Sequence, residues 1–231
     1  MRVRPALLAS TVVLSASLLA GCGVSDAAFE PGVAAQVGDR SVSLASVDDA
    51  VGATCTALQA NPQSLATGYS GAQLRQIVLA QLVLRQLGDE LARENGLDAD
   101  RLYSQAETTA RNNLTAVPDD VADAALPVFA GGAYINLVID QVVTATLGTS
   151  ANQQVRQAAG QQVLANVEKQ VGVETNPLFA PLDFTVQSGS GPRADLSVAV
   201  SPIAEAADAA SPAADQVQAL PANQRCTAPT S

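Results

Sequence analysis

Apolar and polar residues alternate near the start of the chain in a way that predicts a β-hairpin over residues 34–43. Ala35 precedes a Gly38-Asp39 pair and Val42 follows it. A two-residue hairpin turn needs a positive φ, which glycine adopts without strain. The pattern places Ala35 opposite Val42, so that one face of the hairpin is apolar. Because two strands alone are only marginally stable, we expect this hairpin to pair with further strands.

Downstream of the hairpin, the spacing of apolar residues changes to that of an α-helix. Ser43 is suited to cap a first helix, and Ser70 with Gln73 has the spacing of a capping box at the start of a second. The second helix is apolar on nearly every side over residues 77–84, which predicts that it lies at the centre of the domain. Helices are predicted over about 43–58, 70–95, 98–114, 128–147 and 152–171, and Pro118 with Asp119 and Asp120 indicates a further helix N-terminus before the fourth of these.

Short extended segments are predicted after the last helix, around residues 173–175, 183–186 and 196–200. Over residues 201–231 Ala, Pro, Ser and Asp dominate, which predicts a solvated tail with at most one frayed turn. Strands at the two ends of the domain can satisfy one another in a small sheet while the helices pack together. The predicted fold is therefore mainly α with a small terminal β-ribbon, in one domain spanning residues 34–200.

The N-terminal residues have the pattern of an export signal. Two arginines precede an uncharged apolar stretch, too short to span a membrane, that ends in LAGC at residues 19–22. This ending resembles the bacterial lipobox, whose cysteine is acylated. We expect a signal peptide over residues 1–21, lipid attachment at Cys22 and a lipidated tether over 22–33, so that acyl chains hold the protein at the extracytoplasmic face of the cell membrane. The alternative is an ordinary secretory signal with a chance cysteine.

Two further cysteines, Cys55 and Cys226, remain for pairing. An even pair outside the cytoplasm favours a disulfide, which would tie the C-terminal tail to the first helix. The alternative is a buried thiol at Cys55, which shares a helix face with Val51 and Leu58.

Composition narrows the chemistry that the chain can perform. The net charge is −10, and the single lysine is Lys169, so nucleic-acid binding is disfavoured. There is no histidine, which excludes histidine-based triads and histidine-ligated zinc. Neighbouring carboxylates fit the first turns of helices better than metal or acid–base sites; these are Asp48-Asp49, Asp98 with Asp100, and Asp119-Asp120. No catalytic residue, metal site or cofactor is predicted, and we do not expect an enzyme.

Three short segments carry a resemblance to a known family. Residues 37–43 (VGDRSVS), followed by Val47-Asp48, resemble the V-N-G-x-x-I-T-x-x-E-V-D opening of the SurA and PrsA family of extracytoplasmic chaperones. Residues 94–97 (ENGL) are similar to a helical junction of that family. Residues 169–177 (KQVGVETNP) resemble its return from the last helix into a terminal strand.

The chain also departs from the family pattern. Gly-Asp replaces Asn-Gly in the turn, and Leu178 and Leu182 stand where the family often has Arg and Trp. No stretch is long enough for the parvulin prolyl isomerase domain that many members insert. The resemblance therefore implies the helical chaperone-type module alone, closed by strands from both ends.

This resemblance implies a lipid-anchored protein that binds unfolded or translocating polypeptides. Residues 77–87 and 134–143 are more apolar than one buried stripe requires, and this surplus would line a crevice for client segments. The alternative for these residues is the core of an alanine-rich bundle. The alternative for the function is an interaction lipoprotein that binds one folded partner in an envelope complex.

Overall fold

The structure is a computed structural model that describes residues 30–61, 65, 68–179, 182, 184 and 213–228. The described chain is mainly helical with a few short strands. The predicted signal peptide, the lipid site at Cys22 and the strand predicted at 196–200 lie outside these residues, as does the strand predicted at 183–186 apart from Phe184.

The elements follow the predicted order, with additions near the C-terminus. In chain order they are β1 (Val33–Val37), β2 (Arg40–Ser43), α1 (Leu44–Gln59), β3 (Tyr69–Ser70), α2 (Gly71–Glu94), α3 (Ala99–Asn113), α4 (Asp119–Leu147), α5 (Gln153–Val171), β4 (Val173–Thr175), α6 (Ala214–Ala219) and β5 (Arg225–Cys226). A 3-10 turn at Ala222–Gln224 joins the last two.

Strands that are far apart in the sequence share one antiparallel sheet, in the order β2-β1-β4. Ala35 lies opposite Val42 in the hairpin, as predicted, and opposite Thr175 on the other side of β1. The turn residue Gly38 has a φ of 59°. Its amide donates a 3.1 Å hydrogen bond to the carbonyl of Gly172, which ties the hairpin turn to the end of α5. The predicted pairing of the hairpin with residues 173–175 is thus confirmed.

Side-chain caps fix the starts of several helices. Ser43 accepts the amide of Ser46, Asp98 that of Arg101 and Asn152 that of Val155. At the start of α2, Ser70 Oγ accepts the amide of Gln73 at 3.1 Å. The return bond of the predicted capping box, in which Gln73 Oε1 would accept the amide of Ser70, is missing. Gln73 Oε1 is buried and has no hydrogen-bond partner in the described part of the chain.

Helix α4 begins at Asp119, which confirms the helix N-terminus predicted at residues 118–120, and it continues without a break into the helical segment predicted from about residue 128. Pro127 lies inside this helix. Proline lacks an amide N–H and usually interrupts a helix. Here Ala122, Ala125 and Leu126 on the N-terminal side are all buried, and the packing of these turns holds the helix together across the proline.

Helices α2 and α4 form the centre of the domain. Leu79, Val83 and Leu87 of α2 are completely buried, which confirms the predicted central place of this helix. Gly131 of α4 lies against the backbone of Gln81, where an added Cβ would come within 2.3 Å of the carbonyl oxygen. A side chain at this position would therefore hold the two backbones apart.

The C-terminal residues that the structure describes are not a solvated tail, and that prediction was wrong for residues 213–228. Val217, Leu220 and Cys226 in this segment are buried. β5 pairs with β3, a two-residue strand that the sequence pattern did not predict, with Tyr69 opposite Cys226. Two buried aliphatic side chains and a strand pair are enough to dock a segment whose overall composition is that of a loop.

Within the described residues, α4 is long and apolar enough to cross a membrane, and 50% of its most apolar window is buried inside the domain. It packs against α1, α2, α3 and α5. A helix that packs against four others in this way has the position of a core helix of the domain.

Candidate functional site

A groove of about 240 Å³ opens where the hairpin turn meets the C-terminal ends of two helices. Its walls are residues 37–40 of the hairpin, the last turns of α2, and Gln170 and Val171 of α5. The positive φ of Gly38 and its bond to Gly172 place the turn beside α5. The groove is thus assembled from elements that are distant in the sequence.

Two arginines in the groove are neutralised by acids of α2. Arg40 donates to Asp89 at 3.0 Å, and Arg93 pairs with Glu90 one helical turn away. The hydrogen bond from Arg93 to Glu90 and the charge of that carboxylate raise the pKa of Arg93. Both guanidinium groups are therefore held by carboxylates of α2.

The remaining charges of the groove are negative. Asp39 in the turn and Glu94 at the end of α2 carry no ion pair within 4 Å among the described residues. Because each arginine already faces a carboxylate, these two acids leave the groove with a surplus of negative charge. Such a surface attracts cationic groups from solution.

Gln86 joins the groove wall to the sheet. Its Nε2 donates a 3.3 Å hydrogen bond to the carbonyl of Ser41, on the outer edge of β2. Its Oε1 is buried and has no hydrogen-bond partner in the part of the chain that the structure describes.

A polar network lies behind the groove. The hydroxyl of Tyr134 donates to Asp89 Oδ1 at 3.0 Å, while Asp89 Oδ2 accepts from Arg40. The ring of Tyr134 is completely buried and rests on Gly88, where an added Cβ would come within 2.6 Å of Cε1. Burial, followed by the charge and hydrogen bond of Asp89, raises the pKa of Tyr134 well above its usual value.

Aromatic contacts extend the network to α3. The rings of Tyr103 and Tyr134 meet edge to face with centroids 5.3 Å apart. The guanidinium of Arg85 lies 4.2 Å from the centroid of Tyr103, which is within the range of a cation–π interaction. Burial raises the pKa of Tyr103 as well. The network therefore connects β2, α2, α3 and α4.

The sequence pattern did not predict this network. One signal was available, because Arg85 and Asp89 are charged residues four apart on a helix that is otherwise apolar enough to be central. Charged residues on such a helix need partners. Their partners, however, come from other elements and could not be named from the sequence.

The predicted disulfide is present between Cys55 of α1 and Cys226 of β5. It belongs to a small apolar cluster around Leu65 and Leu74, separate from the main core. The alternative of a buried free thiol at Cys55 is thereby overturned.

The carboxylate pairs are dispersed along the described chain. Asp98 caps α3, and Asp119 and Asp120 lie in the first turn of α4, as expected. Asp48 and Asp49 lie beyond the first turn of α1, so their predicted dipole role was wrong, and Asp48 instead pairs with Arg75 at 2.7 Å. No group of three or more potential metal ligands occurs in the described residues.

Most of the surplus apolar surface of α2 and α4 is buried in the core. Among the described residues, the large apolar side chains that remain exposed are Ile77, Leu147, Val155 and Leu178. They lie on α2, at the end of α4, on α5 and in the loop after β4. The groove described above is polar and charged, so it is not the apolar crevice that the resemblance implied, and the burial of these helices agrees with the alternative, the core of an alanine-rich bundle.

Comparison of the chain with protein-family models, with curated proteins and with solved structures gave no match.

Proposed function

We propose that this chain is a lipid-anchored interaction protein that binds one folded partner at the extracytoplasmic face of the membrane. The groove at the hairpin turn is its binding site, and the surplus of acidic groups there carries the proposal. The partner would present a cationic segment, with a lysine or arginine opposite Asp39 and Glu94.

The rigidity of the groove supports a folded partner. Arg40 holds Asp89, and Asp89 in turn holds the buried Tyr134, so one wall is fixed to the core of the domain. The other walls are tied by the bond from Gly38 to Gly172. A preformed, charged surface selects a partner of fixed geometry, since little ordering of the groove is needed on binding.

A chaperone-type function of the SurA and PrsA kind is the second candidate. It is supported by the sheet in which the hairpin and residues 173–175 meet, because these are segments on which the resemblance rests. In that function the clients would be unfolded polypeptides and the contacts would be apolar and weakly directional.

Site-specific photo-crosslinking in the native membrane separates the two candidates. A photo-reactive residue at Gln170, in the groove wall, should trap one protein in a fixed stoichiometry. The same residue at the exposed Asn113, at the end of α3, serves as the matched control and should not trap it. A broad set of crosslinked unfolded proteins at both positions would instead favour the chaperone.

Charge reversal tests the role of the groove. Glu94→Lys should weaken capture by about tenfold, and the loss should shrink as salt screens the acidic surface. Asp49→Lys makes the same change in net charge at an exposed position of α1 and should leave capture unchanged. Equal effects of the two variants would exclude the groove as the binding site.

Aggregation of a denatured model protein, followed by light scattering, tests the second candidate directly. Suppression by the full chain at stoichiometric ratios would support it, and its absence at several-fold excess would count against it.

A further inference from the structure

The end of the sheet at which the chain enters the domain, called here the entry end, is built from uncharged segments. β1 begins there at Val33, opposite Ser43 at the end of β2. The carbonyl of Gly32 accepts the amide of Leu44 at 2.7 Å, which fixes the incoming chain on the start of α1. In a chain with a net charge of −10, the segments that meet at the entry end have no charged residue; they are residues 31–35, 43–47 and 175–179.

Leu178 is held in a fixed turn at the entry end. The side chain of Asn176 donates to the carbonyl of Val33 at 2.7 Å and accepts the amide of Leu178 at 3.0 Å. The next residue, Phe179, is buried in the main core. Leu178 itself is 64% exposed, more than any other large apolar side chain in the described part of the chain. The turn therefore presents an apolar side chain to solvent from a rigid base.

The charged groove lies at the other end of β1. Val37, the last residue of this strand, lines the groove, and an extended strand covers the distance from Val33 to Val37 in about 13 Å. A single exposed leucine is ordinary on a protein surface. Here the leucine lies beside uncharged segments while the opposite end of the same strand borders acidic groups, so the two ends of the sheet suit different surroundings.

The expected lipid anchor connects to the domain at the entry end. Cys22 precedes Pro31 by nine residues, a length of chain that reaches about 30 Å at most when fully extended. Acyl chains on Cys22 would keep the entry end within that distance of the bilayer. A contact too weak to bind a free protein then forms readily, because the tether raises the effective concentration of the membrane surface.

We propose that the entry end is a membrane-contact surface and that the side chain of Leu178 inserts at the level of the lipid headgroups. This proposal rests on the lipid anchor of the proposed function. Insertion removes apolar surface of Leu178 from water, and the uncharged segments beside it bring no ionic group that must be dehydrated. The contact orients the domain, so that the acidic groove faces away from the bilayer and is open to a folded partner.

Tryptophan fluorescence tests the contact, because the chain has no tryptophan of its own. The full chain with Leu178→Trp is produced in a bacterium, extracted from its membranes and reconstituted in phosphatidylcholine vesicles whose acyl chains carry bromine near the headgroups. Bromine quenches an indole that lies close to it. The emission should fall by at least about half relative to vesicles without bromine.

Gln170→Trp is the matched control, because Gln170 is an exposed residue of the groove wall. Its emission should be the same with and without bromine. Equal quenching at the two positions would show that the domain has no fixed orientation. Absence of quenching at both would show that the domain stands away from the bilayer. Either result would overturn the proposal.

A second set of variants retains Leu178 and so removes the effect of an inserted indole. The reporter is Ala45→Trp, at an exposed position in the first turn of α1 at the entry end. Adding Leu178→Glu should reduce its quenching at least about threefold, because a carboxylate is costly to dehydrate. Adding Val155→Glu instead, at an exposed position of α5, makes the same chemical change and should leave the quenching unchanged. Equal quenching in these two variants would refute the role of Leu178, with circular dichroism confirming that each is folded.

The mass of the N-terminal peptide separates this proposal from the proposed function. An acylated Cys22 without quenching of the tryptophan at position 178 would refute the membrane contact and leave the anchor and the groove standing. A Cys22 that carries no acyl chain would refute the anchor and the membrane contact together.

Discussion

The hydroxyl of the buried Tyr134 donates a 3.0 Å hydrogen bond to Asp89, whose other carboxylate oxygen accepts from Arg40. This carboxylate therefore joins the core helix α4 to the hairpin at the groove. A buried phenol and a partly buried charge satisfy each other here, which removes the penalty that either would have alone.

Stability at alkaline pH should depend on Tyr134. Its pKa is raised in the folded protein, whereas an unfolded tyrosine titrates near about pH 10. Above that pH the unfolded chain loses a proton that the native state retains, so the free energy of unfolding falls as pH rises. This contribution is fully present below about pH 10.

Above about pH 10, the free energy of unfolding of the parent should fall with pH more steeply than that of Tyr134→Phe, by about 1.4 kcal/mol per pH unit. At neutral pH the variant should lose about 1–2 kcal/mol, because Asp89 no longer receives the phenol hydrogen bond. Urea unfolding across a pH series measures both effects. Identical slopes for the variant and the parent would show that the phenol titrates freely in the folded state.

Gly131→Ala should destabilise the domain strongly. The new Cβ would come within 2.3 Å of a backbone carbonyl of α2, and neither helix can move without disturbing the core. We expect a loss of about 3 kcal/mol or more in urea unfolding.

Gly52→Ala is the matched control for this substitution. Gly52 lies within α1, and apart from its chain neighbours and the nearby backbone of its own helix no atom lies within 4 Å of its added Cβ. Alanine there should increase the free energy of unfolding by about 0.5–1 kcal/mol. A destabilisation of similar size at both positions would argue against close approach of α2 and α4.

Arg156→Ala should loosen α5. Arg156 donates to Asp140, to Thr144 and to the carbonyl of Gly148. These bonds matter for α5 because Val167 is the one fully buried residue of this helix. Because Asp140 is 67% exposed, solvent screens the pair and the loss should be about 1 kcal/mol.

Hydrogen exchange should locate that loss in α5, with α2 and α3 unaffected. Arg101→Ala provides the control, since Arg101 forms no ion pair among the described residues. If the Arg156 variant exchanged like the control, α5 would be held by its apolar contacts alone.

Asp98→Ala should remove the cap of α3. The carboxylate accepts the amide of Arg101 at 3.0 Å, and loss of such a cap costs about 1 kcal/mol. Asp98→Asn retains an oxygen acceptor and should remain close to the parent in thermal unfolding. Equal losses in the two variants would assign the effect to charge and not to the hydrogen bond.

Local structure was predictable where it depends on residues close together in the chain. The Gly38-Asp39 turn specifies the hairpin, and the caps at Ser43 and Asp98 place helix starts to within a residue. The number of cysteines and the predicted extracytoplasmic location were enough to predict the pairing of Cys55 with Cys226. In each case a backbone preference or a simple count limits the alternatives.

The groove and the docking of residues 213–228 could not be predicted in the same way. Segment 213–228 has the composition of a loop, and only its contacts with β3 and α1 make Val217 a core residue. Pro127 signals a helix boundary, yet burial of the turns before it keeps α4 continuous. Here packing between distant segments outweighs local propensity.

The sequence by itself determined the order of the five long helices, the hairpin register and the disulfide partners, because turn geometry, helical periodicity and cysteine count are local or countable properties. The tertiary structure alone decided that Tyr134, Asp89 and Arg40 meet, and that Cys226 joins the small apolar cluster around Leu65 and Leu74. Those contacts depend on which helix faces oppose each other, and that choice is made by the packing of the whole core.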